Sequence, residues 1–493
     1  MDRRSFIKSA AAGAGLLAAG KPAAHAGPVN LALPSLGLHH VSPTTPIDHV
    51  VVVMMENRSV DHYLGWYGSD DFAGDKFDAT QTGSYHSDAT GGSVPTEHWG
   101  TGSARSDFSG CGFEDPGHGH SAGVAQIGNG KAETSYMVGG TAPDGFLNTN
   151  SGNDEFAVSY YQPDDIPVTA ALTEQFTTFD RYFCSWLGST YPNREYMHSA
   201  QTGGITNNDF PPQRATENPE WAAGFDWPTI WTALDARGVT WKYYYSNLPV
   251  IALWGARHAK GARHISEYYA DCAAGTLPQV AFIDPFFVAP DGLANDDHPW
   301  ADIRLGQMLL SDVTRSFMES KHWHDGALFV TYDEWGGFWD HVTPPEVADP
   351  RSADPAGEFG KLGFRVPTQL ISPFASGGRV DHRVYDHTSI LKFIQTNWRL
   401  KKMSQWDPGT RDPEGRNIGN AFGRFRYNGA SRDRFLNTPH YEAPGTANVP
   451  CAGHDTPVSD LFQLLDNGWM ETYGFRTDFP FADAFRSTLP ILR

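Results

Sequence analysis

Residues 47–55 read IDHVVVVMM and continue directly into Glu56 and Asn57. The run is apolar and rich in β-branched residues, which is typical of a strand buried on both faces. A carboxylate and an amide at the end of such a strand offer two oxygen ligands for a hard cation. The alternative is an ordinary strand exit that caps the next helix.

A second apolar run has the same form. Residues 327–332 read ALFVTY and continue into Asp333 and Glu334. Adjacent carboxylates at a strand end repel each other unless a cation lies between them. A Gly pair follows and permits a tight turn, which we expect to bring Asp340 and His341 back to this point. The alternative is a solvated acidic turn.

The remaining pattern alternates strands with helices, and it predicts an α/β sandwich with a mainly parallel sheet. Two segments, 68–165 and 405–457, have little periodicity and are predicted as long loops. The predicted strands are 239–245, 279–284 and 366–371, and the predicted helices are 168–179, 228–237, 302–319, 388–398 and 458–465. Because ligands of open α/β sheets bind at the carboxyl ends of strands, we expect the polar strand exits to form one site.

Residues 187–194 read LGSTYPNR and place the hydroxyls of Ser189 and Thr190 at a predicted helix start. A hydroxyl in this position caps a helix. It also serves as a nucleophile where a metal lowers its pKa. The segment alone leaves both possibilities open.

Composition excludes several classes of protein. The 493 residues are 40% hydrophobic, which is enough for a core and excludes a wholly disordered chain. The formal net charge of −20 argues against a nucleic-acid partner, since phosphate neutralisation needs clustered Lys and Arg. After residue 26 no segment reaches 18 uninterrupted apolar residues, so we expect no stable membrane insertion.

The first 26 residues resemble a twin-arginine export signal. Arg3 and Arg4 precede a short Ala/Gly/Leu run, and AHA at 24–26 forms a cleavage site. Removing this segment takes away a net charge of +3 and leaves −23. We therefore expect the twin-arginine machinery as a partner and a periplasmic or secreted protein, with an extended leader at 27–46 and one domain at 47–493.

Four cysteines, Cys111, Cys184, Cys272 and Cys451, lack the C-x-x-C spacing of zinc sites. An oxidising compartment permits disulfides, and four cysteines allow three pairings. The sequence does not choose among the pairings.

Six motifs occur in one order along the chain. They are ENRSVDHYLG (56–65), DPGH (115–118), STYPNR (189–194), NDDHP (295–299), DEWGGFWDHV (333–342) and YDHTSI (385–390). Together they resemble the bacterial and plant phosphoesterase family that contains non-specific phospholipases C and related acid phosphatases. The resemblance covers most of the chain beyond the leader and implies an alkaline-phosphatase-like three-layer sandwich with long active-site loops.

The resemblance also implies a set of site residues. Glu56, Asn57, Asp333 and Glu334 would hold one divalent metal ion, and Thr190 would be the nucleophile with its oxygen close to the metal. Oxygen ligands favour a hard cation such as Ca²⁺, Mg²⁺ or Mn²⁺. The remaining residues implied are His118, His298 and His341 as phosphoryl ligands or proton donors, and Asn193, Arg194 and Asp297 as supporting residues.

The implied activity is that of a phospholipase C, which cleaves zwitterionic phospholipids into diacylglycerol and a phosphorylated head group. The alternative is a secreted acid phosphatase that acts on phosphate monoesters. Ser189 lies next to Thr190 and stays a second candidate for the nucleophile. A binding protein without activity is a third hypothesis, which the presence of all these positions disfavours. The sequence does not determine the oligomeric state.

Overall fold

The described residues form twelve β-strands, and eight of them make up the main sheet. The computed structural model describes residues 40–68, 77–81, 85–87 (backbone), 92–128, 143–147, 152–287, 294–347, 359–375, 377–403, 416–444 and 468–476. The strands are β1 (His49–Met55), β2 (Tyr85–Ser87), β3 (Ser93–Pro95), β4 (Glu97–His98), β5 (Ser159–Tyr160), β6 (Thr177–Phe179), β7 (Trp241–Tyr245), β8 (Ala262–His264), β9 (Val280–Asp284), β10 (Gly326–Tyr332), β11 (Gln369–Ile371) and β12 (Arg379–Asp381).

The α-helices are α1 (Val60–Leu64), α2 (His120–Ile127), α3 (Pro167–Gln175), α4 (Thr190–Ser199), α5 (Ile230–Arg237), α6 (Ile265–Ala274), α7 (Ile303–Glu319), α8 (His387–Trp398), α9 (Ala430–Leu436) and α10 (Trp469–Thr472). Short 3₁₀ segments cover Gly65–Gly68, Glu155–Val158, Pro211–Arg214, Pro219–Ala223, Val250–Gly261, Lys321–Asp325 and Ile418–Phe422.

The strand order in the main sheet is β12-β6-β11-β10-β1-β9-β7-β8. Strand β11 runs antiparallel to both of its neighbours, and the other strands of this described sheet share one direction. The predicted mainly parallel sheet is therefore confirmed. Strands β1, β9 and β10 lie side by side at its centre and are buried along their whole length, which is why their sequences are apolar without alternation.

Helices cover both faces of the sheet. Tyr243 and Tyr244 are successive residues of β7, so their side chains point to opposite faces. The hydroxyl of Tyr243 lies 3.4 Å from the ring of His198 in α4, whereas the hydroxyl of Tyr244 donates to Asp271 in α6 at 2.6 Å. The fold therefore has three layers, with α4 on one face and α6 on the other.

Most predicted elements are present with shifted ends. The five strands predicted at 47–55, 239–245, 279–284, 327–332 and 366–371 correspond to β1, β7, β9, β10 and β11. The helices predicted at 228–237, 302–319 and 388–398 correspond to α5, α7 and α8. Pro228 precedes the first turn of α5 instead of lying in it, because Thr229 is the N-cap and accepts from the backbone of Thr232.

The predicted helix over 168–179 is wrong at its carboxyl end. Helix α3 ends at Gln175, and Thr177–Phe179 form strand β6. Residues Thr177 and Thr178 pair with β11 and with β12, so their β-branched side chains lie in the sheet. Local periodicity does not report a pairing with strands that lie almost 200 residues further along the chain.

The two predicted long loops contain some regular structure. Within 68–165 lie α2 and the short strands β2 to β5, and within 405–457 lies α9. The helix predicted at 458–465 and residues 1–39, with the predicted export signal, lie outside the described residues. The export signal, the leader and the domain limits therefore stay predictions.

The cysteines differ in state. Cys111 is disulfide-bonded, whereas Cys184 and Cys272 are buried and not in disulfides. Cys451 lies outside the described residues.

Within the part of the chain that the structure describes, every helix is too short or too polar to cross a bilayer.

Candidate active site

The candidate site lies at the carboxyl ends of the three central strands. Glu56 and Asn57 follow β1, Asp333 and Glu334 follow β10, and Asp284 ends β9. Because these strands are neighbours and run in parallel, their exits meet at one edge of the sheet. The polar strand exits selected from the sequence are therefore brought together.

Backbone hydrogen bonds join the exits of β1 and β10. Oδ1 of Asp333 accepts from the backbone N–H groups of Asn57 at 3.2 Å and of Glu334 at 2.8 Å. The carbonyl of Glu334 accepts from the backbone of Arg58 at 3.1 Å. Asn57 has a φ of 61°, in the left-handed region, and Gly336 packs so closely against its carbonyl that a Cβ would collide. This geometry fixes both strand ends relative to each other.

Arg194 of α4 binds three of the carboxylates at once. Its guanidinium lies 3.1 Å from Asp333 Oδ2, 3.2 Å from Asp284 Oδ1 and 3.2 Å from Glu56 Oε1. Burial by itself would lower the pKa of Arg194, but Asp333, Glu56 and Asp284 outweigh it and raise the pKa above its usual range. Arg194 is therefore a permanent buried cation that attaches α4 to the three strand ends.

The carboxylates still exceed the positive charge around them. Burial raises the pKa of Glu56 well above its usual range although Arg194 opposes the shift. Burial likewise raises the pKa of Glu334 to about 8 against the opposing effect of His118. Among the described residues, Glu334 Oε1 and both side-chain polar atoms of Asn57 are buried without a hydrogen-bond partner, and Glu56 Oε1 makes no hydrogen bond beyond its ion pair with Arg194.

These atoms fit a hard divalent cation. Buried polar atoms are normally hydrogen-bonded, so the two unbonded oxygens of Asn57 and Glu334, at the same edge as the ion-paired Glu56, require an explanation. Oxygen ligands with a local excess of negative charge are what Ca²⁺, Mg²⁺ and Mn²⁺ prefer. Asp333 supplies further negative charge, although both of its oxygens already accept hydrogen bonds within the chain.

The turn before α4 is held by Asn193. Its Oδ1 accepts from the backbone of Trp186 at 2.9 Å, and its Nδ2 donates to the carbonyls of Gly188 at 2.8 Å and Ser189 at 3.2 Å. Gly188 lies against the ring of Trp186, where a Cβ would collide. Asn193 therefore positions the residues that enter the helix.

Thr190 is the first residue of α4, and Ser189 is its N-cap. The Ser189 hydroxyl makes no capping hydrogen bond to the helix. Thr190 precedes Arg194 by four residues, so the two side chains share one face of the helix, the face that meets the carboxylates. Both Thr190 and Ser189 are buried, with 6% and 7% of their surface exposed.

His118 and His298 face each other with ring centroids 6.0 Å apart. Nδ1 of His118 donates to the Pro116 carbonyl at 2.8 Å, and Nδ1 of His298 donates to the Pro299 carbonyl at 2.9 Å. Each ring therefore keeps Nε2 for another partner. Burial opposes protonation of His118, but Glu334 and other carboxylates outweigh it and raise its pKa to about 9.

Asp115 completes a group with these histidines. One potential ligand atom from each of Asp115, His118 and His298 lies within 4.8 Å of the others. Two imidazoles and a carboxylate in this arrangement can hold a metal ion or the oxygens of an anionic group through protonated rings.

Asp297 supports the loop that carries His298. Its Oδ2 accepts from the Tyr332 hydroxyl at 2.6 Å, and its carbonyl accepts from Nε of Arg58 at 2.7 Å. Its φ of 74° is unusual for an aspartate. Burial raises the pKa of Asp297 to about 7. The loop is therefore attached to the last residue of β10 and to the segment after β1.

His341 is bound in a different group of side chains. Its Nδ1 lies 2.6 Å from Asp61 Oδ2, and its Nε2 lies 3.1 Å from Asp78 Oδ1. Arg365 binds Asp61 at 3.4 Å and Asp340 at 3.0 Å. The Gly pair forms the predicted tight turn with φ values of 65° and 70°. It delivers Asp340 and His341 to this group, whereas the sequence predicted their return to Asp333 and Glu334.

Two residues near the carboxylates were not selected from the sequence. Asp284 ends a strand that the sequence did predict, so the strand-end rule that selected Glu56 and Asp333 also applies to it. His387 begins α8, and its Nε2 donates to the carbonyl of Asp333 at 2.7 Å. It lies in the YDHTSI motif, which gave no role to an individual residue.

A model of the Phosphoesterase family matches residues 47–401. The chain belongs to the phosphoesterase family. The match covers β1 to the end of α8 and therefore includes every strand exit described above. This phosphoesterase is a hydrolase that acts on phosphoric ester bonds.

Two proteins similar to this chain are named as phospholipases C. The phosphoesterase is 31% identical over 389 residues to non-specific phospholipase C6 of Arabidopsis thaliana. This alignment covers 72% of the present chain and 69% of the plant protein. It is 29% identical over 410 residues to phospholipase C B of Mycobacterium tuberculosis H37Rv, and this alignment covers 74% of the present chain and 76% of the mycobacterial protein.

Among solved structures, a protein of the alkaline phosphatase superfamily from Vibrio parahaemolyticus aligns with 13% identity and a TM-score of 0.30. The alignment covers 52% of this chain and 64% of that one. A TM-score this low does not bear on the fold of the phosphoesterase.

The contacts of His341 predict a pH-dependent stability. Burial opposes protonation, but Asp61 and Asp78 outweigh it and raise the pKa of His341 from 6.5 to about 10. The ion pairs are therefore fully present below about pH 6.5 and are lost as pH rises through about 10. We expect His341→Gln to lower the free energy of urea unfolding most below pH 6.5, with the difference from wild type shrinking towards pH 10.

His382→Gln is the matched control. His382 also binds an aspartate, Asp180, at 2.7 Å, but 52% of its side chain is exposed. An exposed pair of this kind contributes less than about 1 kcal/mol. A His341→Gln penalty that is constant with pH, or no larger than that of the control, would contradict the assignment.

Proposed function

We propose that this phosphoesterase is a phospholipase C that cleaves zwitterionic phospholipids at the glycerol–phosphate bond. The observation that carries the proposal is the group of buried oxygens at the strand ends, in which Asn57 and Glu334 have unbonded oxygens beside the carboxylate of Glu56. It lies where Arg194 attaches the helix that begins with Thr190. A charged centre and a hydroxyl at the carboxyl ends of a sheet are what phosphoryl transfer requires.

We assign one divalent cation to Glu56, Asn57, Asp333 and Glu334, with Thr190 as a further ligand. When bound, such a cation supplies Lewis-acid chemistry: it lowers the pKa of a nearby hydroxyl and offsets charge on phosphoryl oxygens. The buried excess of carboxylates supports this assignment, because without added positive charge the raised pKa values of Glu56 and Glu334 favour protonation.

The chain's own residues would carry out two displacements. The Thr190 hydroxyl gives its proton to water as its oxygen attacks phosphorus in line with the leaving alcohol, and the bond from phosphorus to that alcohol breaks as the departing oxygen takes up a proton. Water then cleaves the phosphothreonine and restores the hydroxyl. Asn193 keeps the helix entry fixed for both steps.

His118 and His298 would serve the phosphoryl group and the leaving oxygen. The neighbouring carboxylates raise the pKa of His118, and its protonated ring can donate a hydrogen bond to a phosphoryl oxygen or a proton to the leaving alkoxide. Both ring nitrogens of His341 bind carboxylates, so we assign it to support of the site and not to contact with substrate.

One similarity and one prediction from the sequence favour a phospholipid. The similar plant and mycobacterial proteins are named as phospholipases C. A twin-arginine signal at residues 1–26 would deliver the enzyme to the periplasm or beyond, where membrane lipids are accessible. A phosphate monoester is the second candidate substrate, because a protonated His118 can offset the additional negative charge of a monoester dianion.

Thr190→Ala tests the nucleophile. We expect kcat to fall by at least about 10³-fold, because removing a nucleophile abolishes the covalent route. Ser189→Ala is the matched control and should change kcat by less than about tenfold, since a residue outside the covalent route removes only local contacts. If the large loss appears in Ser189→Ala instead, the nucleophile is Ser189.

Metal content tests the carboxylate centre. We expect elemental analysis to find one hard divalent cation, Ca²⁺, Mg²⁺ or Mn²⁺, per chain in wild type and much less of it in Glu56→Gln, which keeps the side-chain shape and removes a charge. Glu97→Gln is the control, because Glu97 is 44% exposed and binds Arg105. Full hydrolytic activity in metal-free protein would exclude the metal centre.

Substrate preference separates the two candidate activities. We expect kcat/KM for p-nitrophenyl phosphorylcholine to exceed that for p-nitrophenyl phosphate, because a phospholipase C acts on diesters. If one catalytic centre hydrolyses both substrates, Thr190→Ala should lower kcat/KM for each of them. A higher rate on the monoester would identify an acid phosphatase that uses the same residues.

A further inference from the structure

Three potential ligands meet at the opposite edge of the sheet from the candidate active site. His49 is the first residue of β1, and Asp325 directly precedes β10. His322 lies in the 3₁₀ segment Lys321–Asp325. Because His49 pairs in register with Gly326, the three residues converge, and one potential ligand atom from each lies within 4.8 Å of the others.

Two of these side chains have buried polar atoms without a hydrogen-bond partner among the described residues. Nε2 of His322 and Oδ1 of Asp325 are buried and lack a hydrogen-bond partner in the described part of the chain. His322 is only 9% exposed. An imidazole nitrogen and a carboxylate oxygen that are withdrawn from water are costly unless a ligand satisfies them.

The third side chain is oriented by an outer hydrogen bond. Nδ1 of His49 donates to the carbonyl of Pro278 at 3.0 Å, which leaves Nε2 as the nitrogen that can bind a ligand. Histidines that bind metals commonly donate their other N–H to a carbonyl in this way. The rings of His49 and His322 have centroids 3.8 Å apart, and a potential ligand atom of each lies within 4.8 Å of the other.

The backbone around the group is also fixed. The N–H of Asp48 donates to the carbonyl of Asp325 at 2.7 Å, and Gln279 donates to Oδ1 of Asp48 at 2.9 Å. These bonds hold the start of β1 and the turn before β10 in place. The potential ligands are therefore carried by a rigid part of the sheet and not by a long loop.

We propose that His49, His322 and Asp325 form a second metal site, for a divalent ion of the zinc type, separate from the phosphoesterase centre. Two imidazoles and one carboxylate match the ligands of Zn²⁺ with a fourth position left to water. They differ from the oxygen-only group at Glu56, which favours harder cations. The bound ion stabilises the fold by joining the starts of the two central strands.

Cobalt absorption tests the site in the purified protein. Co²⁺ replaces Zn²⁺ and absorbs visible light when imidazole and carboxylate ligands surround it with low coordination. With Mg²⁺ in excess to occupy the oxygen-only centre, and in His118→Gln to remove the other group of two imidazoles and a carboxylate, we expect a visible band that saturates at one equivalent of Co²⁺ and is removed by Zn²⁺. Zinc should also raise the melting temperature.

Variants locate the binding. His322→Gln and Asp325→Asn should each weaken Co²⁺ binding by more than about 100-fold, beyond the effect of losing an outer hydrogen bond. His324→Gln is the matched control, because His324 lies in the same 3₁₀ segment but is exposed and contacts Tyr427. It should bind Co²⁺ like wild type, and so should Glu56→Gln.

Several outcomes would overturn the proposal. Wild type without a saturable band excludes the site, and this result does not depend on whether any variant folds. A band that survives both His322→Gln and Asp325→Asn also excludes it. A band lost in Glu56→Gln but kept in His322→Gln would assign the ion to the phosphoesterase centre.

Discussion

The buried guanidinium of Arg194 joins the ends of three strands. It binds Glu56 after β1, Asp284 at the end of β9 and Asp333 after β10, and none of these side chains has appreciable contact with water. Removing one partner from such a group leaves an uncompensated buried charge, which costs several kcal/mol. The position of α4, and with it the turn that carries Thr190, therefore depends on the strand ends. The strand ends depend equally on α4, because it supplies their cation.

The single positive charge of Arg194 does not neutralise the three carboxylates that it binds, and the site therefore has an excess of negative charge. A fold selected for stability alone would replace some of these groups with apolar ones, since buried ion pairs gain little over packed hydrophobic residues. Instead, the chain retains Glu56 and Glu334 with pKa values far above their usual range. Such perturbation at the carboxyl edge of a sheet is typical of a functional centre. The buried apolar strands that precede these residues stabilise the fold and offset the unfavourable free energy of burying the carboxylates.

Strands β1 and β10 carry polar groups at both ends and none that face water between them. Their burial is complete from His49 to Met55 and from Gly326 to Tyr332. Charged or ligand-forming side chains can therefore lie only where the strands begin or end. The carboxyl ends carry oxygen ligands, whereas the amino ends carry two histidines and an aspartate. One rigid pair of strands can thus present two groups of different chemistry without any contact between them.

The central strands and the polar residues that follow them could be predicted from the amino-acid sequence alone. A continuous apolar run can only be buried, and parallel neighbours bring their exits to one edge, so Glu56, Asn57, Asp333 and Glu334 could be selected together. Tertiary structure decided which partners these residues have. Arg194 lies 139 residues from Asp333, and His341 lies 280 residues from Asp61. Residues Thr177–Phe179 form a strand through pairing in the sheet, although their local periodicity predicted the end of a helix. Local pattern reports which face of an element is buried, but pairings between distant segments depend on packing of the whole chain.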